Sequence, residues 1–193
     1  MKKVLKVSCI ILCFFGMLLF TGCRVSPSPA AVVNAFLKSF QRNDLDGMKR
    51  YSVDGVFNKA FENTDDPAFD LVIDKCRNLD FLTSSETIEG DHAKVTVTIR
   101  TYDFITAIYE SISDTVNMSI EIGEEDLTEE MINGFLKENV MSAFENASMS
   151  LMSTCYVNMV MIDGVWIVDS YENNTDLIDL ATGYAMDVLE NVY

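Results

Sequence analysis

Residues 149–171 read MSLMSTCYVNMVMIDGVWIVDSY, and this stretch decides the fold. Two apolar runs, Met149 to Ile162 and Val165 to Tyr171, flank Asp163-Gly164, a dipeptide suited to a tight hairpin turn. In the first run Cys155, Val157, Met159 and Met161 recur with the two-residue period of a strand. Tyr156, Val160 and Ile162 on the alternate positions are apolar as well, and so are Val165, Trp166, Ile167 and Val168. Strands apolar on both faces are normally covered on both faces. The expectation is a core sheet whose outer face is covered by the helices of 103–147, by a terminal helix, or by a second copy of the chain.

Upstream, Phe81 to Glu89 and Ala93 to Tyr102 flank Gly90-Asp91 and form a second predicted hairpin. Ala93, Val95, Val97 and Ile99 alternate with Lys94, Thr96, Thr98 and Arg100, the pattern of one buried and one wet face. His92 falls at the turn with no partner residue in sight, so an exposed, inert role is expected.

The remaining segments carry helical periodicity. Ser28-Pro29 supplies an N-cap and a first-turn proline, and Val32, Val33, Phe36, Leu37 and Phe40 follow on one face. Asn43 to Gly47 looks like a calcium loop, but aligning Gly47 with the loop glycine places Arg42 and Val53 at ligand positions, so a helix end and a new cap at Asp44 is the better reading. Asp66-Pro67 opens a helix with Phe69, Val72, Ile73 and Cys76 inward. Between the two hairpins lies a helical insertion. Asp103 can cap a helix bearing Ile105, Ile108, Tyr109 and Ile112. Asp126-Leu127-Thr128-Glu129 starts another with Met131, Ile132, Phe135, Leu136, Val140 and Phe144 on its apolar face. The acids Glu124, Glu125, Asp126, Glu129 and Glu130 at that start read as capping and solubility rather than as a metal site. A terminal helix begins near Asn174 or Thr175, with Leu177, Ile178, Ala181, Tyr184, Ala185 and Val188 inward.

The first 23 residues read as an export leader. Lys2, Lys3 and Lys6 precede an apolar run from Val7 to Phe20, which is shorter than the roughly 20 residues a membrane-spanning helix needs. It ends in Leu18-Leu19-Phe20-Thr21-Gly22-Cys23, which resembles the lipobox of bacterial lipoproteins. That resemblance implies a signal peptide over 1–22, lipidation of Cys23, a tether over 23–28 and one domain over 29–193. It also implies attachment to the extracytoplasmic face of the cell membrane. Of the five cysteines, Cys9 and Cys13 leave with the leader. Cys76 and Cys155 remain in a setting that permits a disulfide, and two readings stay open: a bridge, or two buried thiols.

Charge bounds the partners. The 193 residues hold 14 basic and 30 acidic side chains, a net charge of −16. Taking the three leader lysines away leaves 11 basic residues against 30 acidic, net −19. Such a surface repels nucleic acid and anionic headgroups. Membrane contact is then expected only through the lipid.

The order of elements, with Ser28-Pro29-Ala30-Ala31-Val32-Val33, Asn43-Asp44-Leu45-Asp46 and Asp163-Gly164-Val165-Trp166-Ile167-Val168-Asp169, resembles the nuclear transport factor 2-like lipoproteins of Gram-positive bacteria. The resemblance implies an α+β fold in which helices pack into the cone of a curved antiparallel sheet. Trp166, Tyr102 and Tyr156 are the candidates to line a pocket or the core. Enzymes of the superfamily work through Asp, His or Tyr groups, and no such constellation is matched. Asp169 is the nearest carboxylate, and alternation places it opposite Trp166. No cofactor is called for, and no catalytic motif is present. The expected role is ligand or partner binding. The rivals are an isomerase- or dehydratase-like enzyme using a pocket carboxylate, and a homodimer formed through the outer sheet face.

Overall fold

The computed structural model describes residues 26–53, 67–122 and 128–186. The leader, Cys23, Asp66, the Glu124–Asp126 acids and Val188 lie outside the described residues. Helices α1 (Pro29–Gln41), α2 (Leu45–Tyr51) and α3 (Pro67–Cys76) precede strands β1 (Asp80–Glu89) and β2 (His92–Thr101). Helices α4 (Phe104–Ile122) and α5 (Glu129–Asn146) follow, then β3 (Leu151–Ile162), β4 (Val165–Val168), a 3-10 turn (Tyr171–Asn173) and α6 (Thr175–Ala181). The four strands form an antiparallel sheet in the order β1-β2-β3-β4. This is an α+β fold.

Local chemistry places the boundaries. Ser28 Oγ accepts from Ala31 N at 3.3 Å and caps α1. Asn43 ends that helix in the left-handed region (φ 55°), and Asp44 Oδ1 accepts from Gly47 N at 2.9 Å to start α2. Thr128 caps α5, accepting from Met131 N at 3.2 Å. Asp163 and Gly164 both hold positive φ (52° and 78°), the type I′ turn whose twist matches the strands it joins.

The inner sheet face carries Val95, Val97, Ile99, Thr101, Cys155, Val157, Met159, Trp166 and Val168, all buried. Helices α1 and α6 lie on this face. Asn34 Nδ2 donates to Thr83 Oγ1 at 2.7 Å from α1, and Thr101 Oγ1 donates to the Ala181 carbonyl at 3.4 Å in α6. Phe36, Leu37, Met48, Leu79, Leu177, Ile178 and Leu180 close the space between them. Each large side chain so buried contributes about 1.5–3 kcal/mol. Among the described residues this inner side of the sheet is therefore packed.

The expected helical cover on the outer face is not what the fold builds. Helix α6 is on the inner side, and α4 and α5 form a hairpin beyond the Thr101 end of the sheet, held by Phe104 and Phe144. Their rings meet edge to face at 5.3 Å and 84°. Among the described residues the outer face stays open, with Leu82, Met152, Tyr156, Ile162 and Val165 exposed. The α4 stripe also differs from the expected one. Phe104, Ile108, Ser111 and Thr115 form the buried seam, while Tyr109 and Ile112 face water.

Strand β4 is shorter than expected, and the terminal helix is interrupted. Strand β4 ends at Val168: Asp169 N still donates to the Asn158 carbonyl at 2.9 Å, but Asn158 N turns to the Asn174 side chain. Helix α6 breaks at Ala181 because Gly183 (φ 58°) turns left-handed against the Tyr102 carbonyl, where a Cβ would collide, and helix resumes at Ala185.

Candidate functional site

The three candidates to line a pocket or the core are dispersed. Trp166 is buried on the inner face, paired in register with Met161 at the β3–β4 turn end of the sheet. Tyr102 follows Thr101 at the opposite end, and at ~3.3 Å per strand residue this puts it about 30 Å or more away along the sheet. It is half-buried, stacked on Phe104 at 5.9 Å, with Lys75 Nζ 4.9 Å from its ring centroid. Tyr156 sits opposite Thr96 on the outer face, 61% exposed, and lines neither core nor cone. Two-residue alternation puts Tyr156 on the face opposite Cys155 and Val157, and the fold keeps it there.

Cys76 and Cys155 are separate, free and buried. The bridge is the alternative the fold does not adopt. Burial pushes both thiols up, Cys155 to about 11. Asp176 near Cys155 adds to its shift. Thiols held protonated in apolar surroundings are poor nucleophiles.

Among the described residues the inner side of the sheet is filled, and two open grooves are places where a ligand could sit. The first, about 410 Å³, lies at the hairpin-turn end of the sheet and includes Glu89, His92, Lys94, Asn158, Asp169 and Asn173 in its lining. Asp169 faces outward, as its alternation with Trp166 requires. Its carboxylate is engaged, accepting from Ser170 N at 2.8 Å and Asn173 Nδ2 at 2.9 Å. His92 is exposed, with Nε2 3.4 Å from Asp91 Oδ1. The groove mixes both signs of charge.

The second groove, about 370 Å³, runs between α4 and α5 and is lined from α4 by Asp103, Glu110, Ser111 and Asp114 and from α5 by Asn139 and Asn146. It lies beside the buried seam, because α4 positions 103, 107, 110 and 114 share one edge of a helix with 3.6 residues per turn. Asp103 caps α4, accepting from Thr106 N at 3.0 Å and Thr106 Oγ1 at 2.9 Å. Lys75 Nζ donates to the Glu145 carbonyl at 2.5 Å and ties α3 to the last turn of α5, where a cation suits the helix dipole. Burial lowers the Lys75 pKa, and Glu145 opposes that shift. Sequence reading passed over this groove. Its signal was available in the Asp103, Glu110 and Asp114 spacing, but apolar periodicity drew attention to the other side of α4.

Among the described residues no group of three or more His, Cys, Asp or Glu side chains is placed to hold a metal ion, and no helix is long and apolar enough to cross a membrane. No known family pattern matches the chain, and no curated protein matches it. Among solved structures it is similar to a Bacillus subtilis protein provisionally named a lipoprotein (ycdA), with 15% sequence identity and a TM-score of 0.44. The match covers 77% of this chain and 45% of that one, so this chain spans less than half the length of the neighbour it matches.

Proposed function

We propose that this chain is a lipid-anchored extracytoplasmic binding module. The observation that carries the reading is the leader: Lys2, Lys3 and Lys6, the apolar run to Phe20, and Thr21-Gly22 directly before Cys23. Acylation of Cys23 supplies the membrane attachment, at about 0.8 kcal/mol for each buried CH₂. Helix α1 begins at Pro29, so a tether of a few residues holds the domain close to the bilayer surface. The strong negative charge keeps the domain itself off anionic headgroups, which suits a module that presents its surface outward. Binding, rather than catalysis, is favoured by the filled inner side of the sheet and by Asp169 being spent on its own turn. The nuclear transport factor 2-like assignment belongs to this same reading. It is supported by helices α1 and α6 packed on one face of a four-stranded antiparallel sheet.

Intact mass of the protein recovered from bacterial membranes tests the anchor. The expected result is a chain beginning at Cys23 with added diacylglyceryl mass. An unmodified Cys23, or a chain recovered from the cytosol with its leader intact, overturns it.

The open outer face favours a second reading, assembly of two copies. Leu82 on β1 and Met152 and Tyr156 on β3 are 67%, 68% and 61% exposed, on either side of Thr96, Thr98 and Arg100 of β2, a mixed apolar and polar face of the kind found at interfaces. Sedimentation of the leaderless chain across a concentration series decides it, and a strict monomer at high concentration removes the reading.

A further inference from the structure

We propose that two copies of this chain pair through helix α4, antiparallel, along Ile105, Tyr109, Ile112 and Val116. The pairing needs no lipid anchor and lies apart from the outer sheet face.

Helix α4 turns its stronger apolar side outward. Its buried seam against α5 holds Phe104 and Ile108, and then two hydroxyl residues, Ser111 and Thr115. Tyr109, Ile112, Val116 and Ile120 are instead 44–73% exposed, and Ile105 is half-buried beside them. At 100° per residue these five side chains fall within about 80° of the helix circumference. They form one continuous stripe. A helix normally buries such a stripe, and a contiguous exposed apolar patch marks an interaction site rather than ordinary surface.

Charge limits what can cover it. The acids of α4, Glu110, Asp114 and Glu121, lie about 120–160° round the helix from the centre of the stripe. The open flank carries Thr106, Ser113 and Asn117, and the other flank is the buried Ile108 and Thr115. The helix has no Lys or Arg. Helices that lie on bilayers carry such cations on their polar face, so a lipid surface is a poor match. A basic partner is drawn to the acidic side and finds no charge to read on the stripe. A second copy fits. Each chain carries net −16, yet here two of them meet with no like charges at the flanking positions that govern helix pairing.

Spacing supplies the arrangement. From Ile105 the steps to Tyr109, Ile112 and Val116 are four, three and four residues, which read the same in both directions. An antiparallel copy therefore sets Ile105 opposite the second copy's Val116 and Tyr109 opposite its Ile112 in a single register. This is the self-complementary contact of a two-fold dimer. The stripe from Ile105 to Ile120 is about 22 Å long and one helix wide. That is less than the roughly 800 Å² per partner of a standard interface, so the pairing is weak and concentration-dependent.

Oxidative cross-linking of the full-length chain, in the cells that make it, is the experiment. A mixed disulfide is expected between a copy carrying I105C and a differently tagged copy carrying V116C. Tagged wild-type chains, whose Cys76 and Cys155 are buried, give the background. V116C by itself is expected to give at least tenfold less product, because the antiparallel register holds the two 116 positions about 16 Å apart along the axis. Adding I112E to both copies is expected to cut the mixed product at least tenfold, with the helical circular dichroism unchanged. Failure of I105C and V116C to link, self-linking of V116C at the level of the mixed pair, or an undiminished product with I112E overturns the pairing. Self-linking of Y156C on the outer sheet face, with no product from I105C and V116C, overturns it in favour of the sheet-face assembly.

Discussion

The side chain of Asn174 completes the sheet where β4 ends. Its Oδ1 accepts from Asn158 N at 2.8 Å, the bond a further strand residue would have made, and its Nδ2 donates at 3.2 Å to the Asn158 carbonyl, which also accepts from Asp169 N at 2.9 Å. The same Nδ2 lies 3.2 Å from the Asp169 carbonyl and 3.3 Å from that of Ser170, and Asn174 is 1% exposed. One side-chain amide thus closes the β3 edge and pins the chain at the start of α6.

Asn174→Ala is expected to destabilise the protein by about 1–3 kcal/mol, since it strands the buried Asn158 N–H while the Asn158 carbonyl keeps its bond from Asp169 N. Asn174→Asp keeps the acceptor and loses the donor, and is expected to fall short of that loss. Urea titrations of the three proteins measure the order. An alanine variant within 0.5 kcal/mol of wild type, the usual spread for an inconsequential surface change, contradicts the role assigned to the amide.

Gly183→Ala is expected to cost at least about 2 kcal/mol. Residue 183 has positive φ, and a Cβ there runs into the Tyr102 carbonyl, a backbone atom that cannot swing away. Gly90→Ala shares the positive φ but has open space around it and is expected to cost about 1 kcal/mol. Equal losses in thermal melts would show that the backbone angle, not the close approach, matters at 183.

The helical hairpin gives a contrast between seam and surface. Phe144→Ala removes a fully buried ring that packs on Phe104 and is expected to cost about 3–5 kcal/mol. Tyr109→Ala, on the 71% exposed side of α4, is expected to stay within about 0.5 kcal/mol. Denaturant midpoints of the two variants check this directly.

The thiols make stability fall on the alkaline side. Burial raises Cys155 from its ordinary 9.0 to about 11, so the folded state keeps a proton that the unfolded chain releases. The stabilising contribution is whole below about pH 9 and is lost as pH rises toward 11. The buried Cys76 thiol and the Tyr184 hydroxyl, both raised chiefly by burial, act in the same direction. Cys155→Ala is expected to flatten part of the decline in midpoint between pH 8.5 and 10.5. At pH 7.5 the native protein is expected to resist a thiol reagent at both cysteines, with reaction appearing in denaturant. Rapid labelling of the folded chain would mean that one thiol is open to solvent.

What the amino-acid order determined by itself was the class of fold and where its elements begin and turn. Capping at Ser28, Asp44, Asp103 and Thr128, the Asp163-Gly164 turn and the alternation through Ala93–Ile99 are short-range matters, settled by bonds within a few residues. The packing faces were legible only where one side of an element was apolar. Strand β3 and helix α4 are apolar on more than one side, so periodicity could not say which side goes in. Tertiary structure chose. Phe104, Ile108, Ser111 and Thr115 face α5 because the hairpin is set by Phe144 and Val140 opposite, and that choice left Ile112 and Tyr109 in water while placing Glu110 and Asp114 along a groove. The Asn174–Asn158 bonds and the Gly183–Tyr102 approach join residues 16 and 81 positions apart. Distant partners like these carry no periodic signature, because their meeting depends on how every element between them packs.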